Sequence, residues 1–153
     1  MDIQTALKRS NIFRGFSADD LALVLSLGQP LSFNPGDVIL REGDVGSYLY
    51  VVLEGSVSIH TGDKCLARCR AYEAFGEMAA FGKRRRSATV RAVTDLELFL
   101  LDEAALARLL EGPGAVPFLM NVVQILCERL NAGNTWIACS LDEQRRDDGR
   151  CPH

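Results

Sequence analysis

Between Leu31 and Leu101 short apolar runs recur, and each is cut by a turn-forming cluster: NPGD at 34–37, EGDVG at 42–46, EG at 54–55, TGD at 61–63 and TD at 94–95. Glycine and its usual turn partners supply the backbone dihedrals that tight reversals need, and breaks this frequent leave no room for helices of ordinary length. The segment is therefore predicted to be a set of short antiparallel strands closed into a barrel, sandwich or roll. Within it, YLYVVL at 48–53 is apolar at every position, as in a strand buried on both faces. VSIHT at 57–61 alternates, which predicts Val57 and Ile59 inward and Ser58 and His60 outward.

A helical period brackets this region. Ser17 followed by Asp20 reads as a capping box, and Leu21, Val24, Leu25 and Gly28 give a stripe and a stop. Past the strands, Asp102 reads as the N-cap of EAALARLLE, which Gly112 and Pro113 end. A longer helix is expected over Val116 to Leu141. Leu119, Val123, Leu126, Leu130 and Ile137 form a heptad-like seam along it, with Gly133 inside, and Phe118, Val122 and Ile125 form a second stripe beside it. A helix with two stripes can pack on its own domain and still meet a partner, so the seam points to a homodimer. The tail, DEQRRDDGRCPH, has almost nothing to bury and is expected to be disordered. The expected architecture is one α+β domain over 1–141, with N-terminal helices, an antiparallel β-roll at about 31–101 and C-terminal helices at about 102–141, followed by a tail at 142–153.

A length of 153 residues with 48% hydrophobic and 24% charged residues suits one domain with one sizeable core. The formal net charge of -3 gives no global attraction to nucleic acid or anionic membrane, and the cations Lys83 to Arg86 read as a solvated loop. No apolar run reaches the roughly 18 residues of a membrane span, and MDIQTALKRS lacks the apolar core of a secretion signal, which points to the cytoplasm. In a reducing compartment the five cysteines, Cys65, Cys69, Cys127, Cys139 and Cys151, read as free thiols. Cys65 and Cys69 share one face of a strand by spacing, but no second pair completes a metal or iron–sulfur site. His60 and His153 cannot supply the multi-histidine centre of a β-roll metalloenzyme. Nucleophile, base and orienting group do not come together, so neither an enzyme nor a cofactor is expected.

The remaining stretch is FGEMAAFGKRRRSATV at 75–90. FGEMAAF reads as about one helical turn opening at Gly76, whose first amides lack internal partners and can hold an anion. Small side chains at Gly76, Ala79 and Ala80 leave those amides reachable. Arg86 adds a planar cationic fork suited to phosphate oxygens, and Ser87 and Ala88 add two amides and a hydroxyl. Glu77 would repel a lone phosphate, so it must accept hydrogen bonds from another part of the ligand, most economically a ribose hydroxyl. The ligand expected is a sugar phosphate.

In these residues the chain resembles the cyclic nucleotide-binding domains of catabolite activator proteins, protein kinase A regulatory subunits and cyclic-nucleotide-gated channels. NPGDVILREGDVGSYLYVVLEGSVSI resembles that family's strand and glycine-turn framework. FGEMA followed by RSATV, with Glu77 nine positions before Arg86, resembles its phosphate-binding cassette. The resemblance covers about residues 15 to 140. It implies that Glu77 accepts from the ribose 2'-hydroxyl and that Arg86 pairs with the cyclic phosphate, helped by the amides of Gly76, Met78, Ala79, Ser87 and Ala88. It also implies a final helix that closes over the base, with Asn134 near it; Trp136 is read as packing. Family members preferring cGMP often have threonine after the arginine and those preferring cAMP often have alanine. Ser87 keeps the hydroxyl without the methyl, which leaves cAMP or cGMP open, with cAMP first. The residues past Leu141 are too few for a DNA-binding helix-turn-helix, which suggests a sensor module without an output domain of its own, working through a protein effector. The alternative is a non-binding β-roll scaffold with a relic cassette.

Overall fold

Ser17 caps a helix as its spacing with Asp20 predicts. Its hydroxyl accepts from the Asp20 amide at 3.1 Å, and the Asp20 carboxylate accepts in return from the Ser17 amide at 3.3 Å. A computed structural model describes residues 2–44, 48–76 and 88–143, except the side chains of 129 and 132–143. Its N-terminal part comprises α1 (Ile3–Arg9), a 3₁₀ turn (Asn11–Phe13) and α2 (Ala18–Leu27). The strands follow as β1 (Gln29–Phe33), β2 (Val38–Leu40), β3 (Leu49–Glu54), β4 (Ser56–Thr61), β5 (Lys64–Arg70), β6 (Ala74–Phe75), β7 (Thr89–Ala92) and β8 (Leu96–Leu101). The chain then forms α3 (Glu103–Glu111) and α4 (Ala115–Glu143). Asp102 caps α3 by accepting from the Ala105 amide at 2.8 Å.

The strands form two antiparallel four-stranded sheets, ordered β1-β8-β3-β6 and β2-β7-β4-β5. This is the α+β β-roll with flanking helices that the sequence predicts. The first sheet separates two cores, and its alternation assigns side chains to each. On β3, Leu49, Val51 and Leu53 face the helices, while Tyr50 and Val52 face the roll interior. On β8, Phe99 and Leu101 face the helices, while Leu96, Leu98 and Leu100 face inward. A strand with an apolar core on each side must be apolar throughout, which is why 49–53 carries no polar residue. Gly28 packs for a related reason: a Cβ there would run into the Phe99 ring and the Leu100 carbonyl.

Two readings of the second sheet require correction. The β4–β5 register slips between Ile59 and His60, leaving Cys69 opposite Val57 but Cys65 opposite His60. An extra residue in one strand reverses the faces beyond it. Cys65 and Cys69 therefore lie on opposite faces, not one. Cys69 is enclosed between the sheets as a free thiol, and Cys127 is also free. Cys65 is disulfide-bonded, so the reading of five free thiols fails there. Ser58 does share the outer face with His60, but it is buried and its Oγ lies 2.6 Å from His60 Nε2. Neighbouring strands on both sides and the imidazole beside it close over its small side chain.

In the C-terminal helix the predicted stripe of Phe118, Val122 and Ile125 forms, and the predicted seam forms in part: Leu119, Val123 and Leu130 are exposed, Leu126 packs against the helical core, and the Ile137 side chain lies outside the described residues. Phe118, Val122 and Ile125 are buried against the helical core, whereas Val116, Leu119, Met120, Val123 and Leu130 are 43 to 69% exposed. Between these faces sits a residue that periodicity does not flag. Asn121 is buried, and its side-chain amide donates to the carbonyls of Ile12 and Arg14, both at 2.9 Å. These two bonds, with Phe118 stacked on Phe13 at 6.3 Å, fasten α4 to the N-terminal turn. Asn121→Ala strands both carbonyls and should cost about 2 to 3 kcal/mol. For a chain of this size that lowers the thermal midpoint by roughly 4 to 12 °C, checked by calorimetric unfolding.

Candidate functional site

The segment singled out by its chemistry starts where β6 ends. Phe75 lies against Tyr50 with ring centroids 5.0 Å apart and planes 7° from parallel, and Ala74 pairs with Val51. The chain thus leaves the first sheet beside the start of β3. Gly76 follows with φ +86°, a conformation that L side chains rarely adopt, and it turns the chain out of the strand. Glu77 is the next residue. At the other end Ala88 is half-buried and leads into β7, where Thr89 registers with His60 and its hydroxyl accepts from the Glu42 amide at 3.0 Å. Arg86 and Ser87 immediately precede it.

The stretch is therefore held between an edge strand of one sheet and an inner strand of the other. Firm strand anchors at both ends are what a ligand-gripping loop needs. Of the residues singled out in the sequence, Gly76 and Ala88 are described, at the two ends. Glu77, Met78, Ala79, Arg86 and Ser87 lie outside the described residues, as does the one-turn helix expected over FGEMAAF. Asn134 falls within α4, and its side chain lies outside the described residues.

A cleft of about 290 Å³ opens at the opposite end of the roll, where the β1–β2 and β7–β8 turns meet. Its wall carries Glu54, Asp95 and Glu97 and no cation, and Glu54 registers directly against Glu97. Three carboxylates repel a phosphate, so this cleft does not suit a sugar phosphate. Among the described residues no group of acids, histidines and cysteines could hold a metal ion.

The strand order, the two anchored ends and the helices on one sheet match a known pattern. Residues 30–112 fit the family model described as "Cyclic nucleotide-binding domain". The chain belongs to that family. A cGMP-dependent protein kinase from Eimeria tenella is 30% identical over 107 residues, 69% of this chain and 11% of the kinase. A cyclic AMP receptor protein from Thermus thermophilus is 37% identical over 100 residues, 62% of this chain and 46% of the receptor. The chain thus spans well under two thirds of these curated relatives. A solved cyclic nucleotide-binding domain from Methylobacillus flagellatus superposes with a TM-score of 0.80 at 25% identity, over 90% of this chain and 82% of that one.

A cyclic nucleotide-binding domain is a ligand-binding module, and the matched span contains the whole of 75–90. Sequence reasoning passed over Asn121, whose role depends on a contact across more than a hundred positions. It also passed over Tyr72, the one described residue other than glycine with positive φ, at 73°. Its amide donates to the Val52 carbonyl at 2.7 Å, its carbonyl accepts from the Asn11 amide at 3.0 Å, and Arg9 lies 5.8 Å above its ring. No single described helix is long and apolar enough to cross a membrane.

Proposed function

We propose that this chain is a cyclic nucleotide sensor that binds cAMP ahead of cGMP and passes the signal to a protein effector. Glu77 accepts from the ribose 2'-hydroxyl and Arg86 pairs with the cyclic phosphate. The amides of Gly76, Met78, Ala79, Ser87 and Ala88 supply the remaining donors. The observation that carries this reading is the family match over 30–112, which spans an acid and an arginine at cassette spacing between two strand anchors. The domain is a ligand-binding module, not an enzyme, needs no cofactor and acts in the cytoplasm.

Ligand contacts draw the cassette inward, and the C-terminal helices repack over the base, with Asn134 contributing a polar contact. The ties from Asn121 to the 3₁₀ turn support a motion in which α4 carries the N-terminal helices with it. Only differential affinity drives such a shift, and moving a population from about 1:99 to 99:1 takes about 5.5 kcal/mol. Titration calorimetry with cAMP and cGMP tests the proposal. Saturable binding of at least one nucleotide is expected. Heat from neither would leave the relic-cassette scaffold as the better account.

The sensor works as a homodimer through α4. Val116, Met120, Val123, Cys127 and Leu130 are exposed and alternate spacings of four and three, the repeat of a two-helix seam. In the sequence this spacing continues through Asn134, Ile137 and Leu141. Light scattering should report a dimer mass, and Val123→Glu with Leu130→Glu should shift it to the monomer. A monomeric parent protein, with and without nucleotide, would remove the dimer from the proposal.

A further inference from the structure

The two sheets of the roll carry opposite charge. Strands β1, β3, β6 and β8 contain Glu54 and Glu97 and no lysine or arginine, whereas β2, β4, β5 and β7 contain Lys64, Arg68, Arg70 and Arg91 and no acid. In a chain of net charge -3, this is a local concentration of cations. The register places them together. Ser58 on β4 pairs with Arg68 on one side and with Arg91 on the other, and Ser56 pairs with Arg70 one rung away. Registered partners and alternate residues share a face, so Arg68, Arg70 and Arg91 all project from the outer side. Cys69, Val90 and Ala92 fill the inner one.

Arg68 and Arg91 are exposed, and among the described residues neither has an ion-pair partner. Strands are spaced about 4.8 Å apart, so these arginines rise from lines about 10 Å apart with buried Ser58 as the floor between them. The acids nearest in sequence, Asp63, Glu73 and Asp95, lie in the connections at the margins of the sheet, as do Asp37 and Glu42, and Glu73 accepts from the Arg70 amide at 3.2 Å. Two like charges flanking a small residue gain nothing for folding. Such an arrangement suits recognition of an opposite charge.

We propose that the outer face of the β2-β7-β4-β5 sheet docks an extended, carboxylate-rich segment of a partner protein. Alternate side chains of an extended segment are about 7 Å apart, the same distance that separates the Ser56 and Ser58 rungs. Carboxylates at that interval meet successive arginine rungs in fork geometry. A nucleic acid fits less well, because its affinity is built up from many phosphate contacts and this face offers three arginines in a chain of net charge -3. Arg91 follows Arg86 on the same continuous chain, so this surface joins the cassette through β7. Docking itself needs no bound nucleotide.

The test uses nucleotide-free protein and fluorescence anisotropy with two probes, a fluorescein-labelled oligoglutamate peptide and an oligothymidylate of equal charge. Oligoglutamate should bind at low ionic strength, bind more tightly than the oligothymidylate, and weaken steeply with salt. Arg68→Glu with Arg91→Glu should weaken it about tenfold or more. Arg68→Gln with Arg91→Gln serves as the milder pair should charge reversal disturb folding, and it should weaken binding in the same direction. Absence of oligoglutamate binding, equal affinity in parent and folded variants, or tighter binding of oligothymidylate would each overturn the proposal. Nucleotide affinity measured on the same variants should stay unchanged, which separates this surface from the cassette.

Discussion

Arg86→Ala should raise the dissociation constant for the preferred cyclic nucleotide by about 30- to 5,000-fold, the equivalent of about 2 to 5 kcal/mol. The size of the effect comes from what truncation leaves behind. A phosphodiester drawn into the cassette gives up hydration, and without the guanidinium its charge is held by amides alone. Arg86→Lys keeps a positive charge but loses the planar fork, so its affinity should fall between parent and alanine variant. Titration calorimetry reads both variants. Arg86→Ala binding within about threefold of the parent would take Arg86 out of the site.

Gly55→Ala should be the most damaging single substitution in the roll. Gly55 alone connects β3 of one sheet to β4 of the other, at φ +96°. A Cβ there would collide with the Asp95 carbonyl oxygen and the Thr94 hydroxyl. That hydroxyl already accepts from the Ser56 amide at 3.1 Å and donates to the Asp95 carbonyl at 2.8 Å, so it has little freedom to move aside. Strained backbone and overpacking together should cost about 3 to 5 kcal/mol, lowering the thermal midpoint by roughly 6 to 20 °C. Gly36→Ala is the control, because Gly36 has φ +90° with open space around it. It pays only the dihedral strain, about 1 to 2 kcal/mol. Equal losses in the two variants would show that the contact with Asp95 and Thr94 is unimportant.

Much of this fold is legible from local pattern. The Ser17 and Asp102 caps, the doubly buried β3 and the buried stripe of α4 follow from side-chain type and spacing over one or two turns or a few strand positions. The family match likewise confirms the resemblance carried by the glycine-turn framework and the cassette. What local pattern missed depends on partners distant in sequence. The slip in β5 that parts Cys65 from Cys69 becomes visible only against β4. Ser58 looks solvent-facing by alternation, yet its neighbours enclose it. Asn121 looks like an ordinary polar residue on a helix until the Ile12 and Arg14 carbonyls come within reach. In the cassette, Glu77 and Arg86 stood out because an acid beside a phosphate-seeking arginine has no purpose in a single-charge ligand. Their positions lie outside the described residues, so ligand titration, not geometry, decides their roles.

Among the described residues the first strand has one mate, and it is the last: Gln29 registers with Leu100 and Phe33 with Leu96. During synthesis the ribosome must therefore release nearly the whole roll before β1 can zip into place, and until then its edge of the sheet stays open. Closing so long a loop is entropically slow, and strand pairing of this kind folds over milliseconds to seconds rather than microseconds. Until then that unpaired edge is open to pairing with another chain.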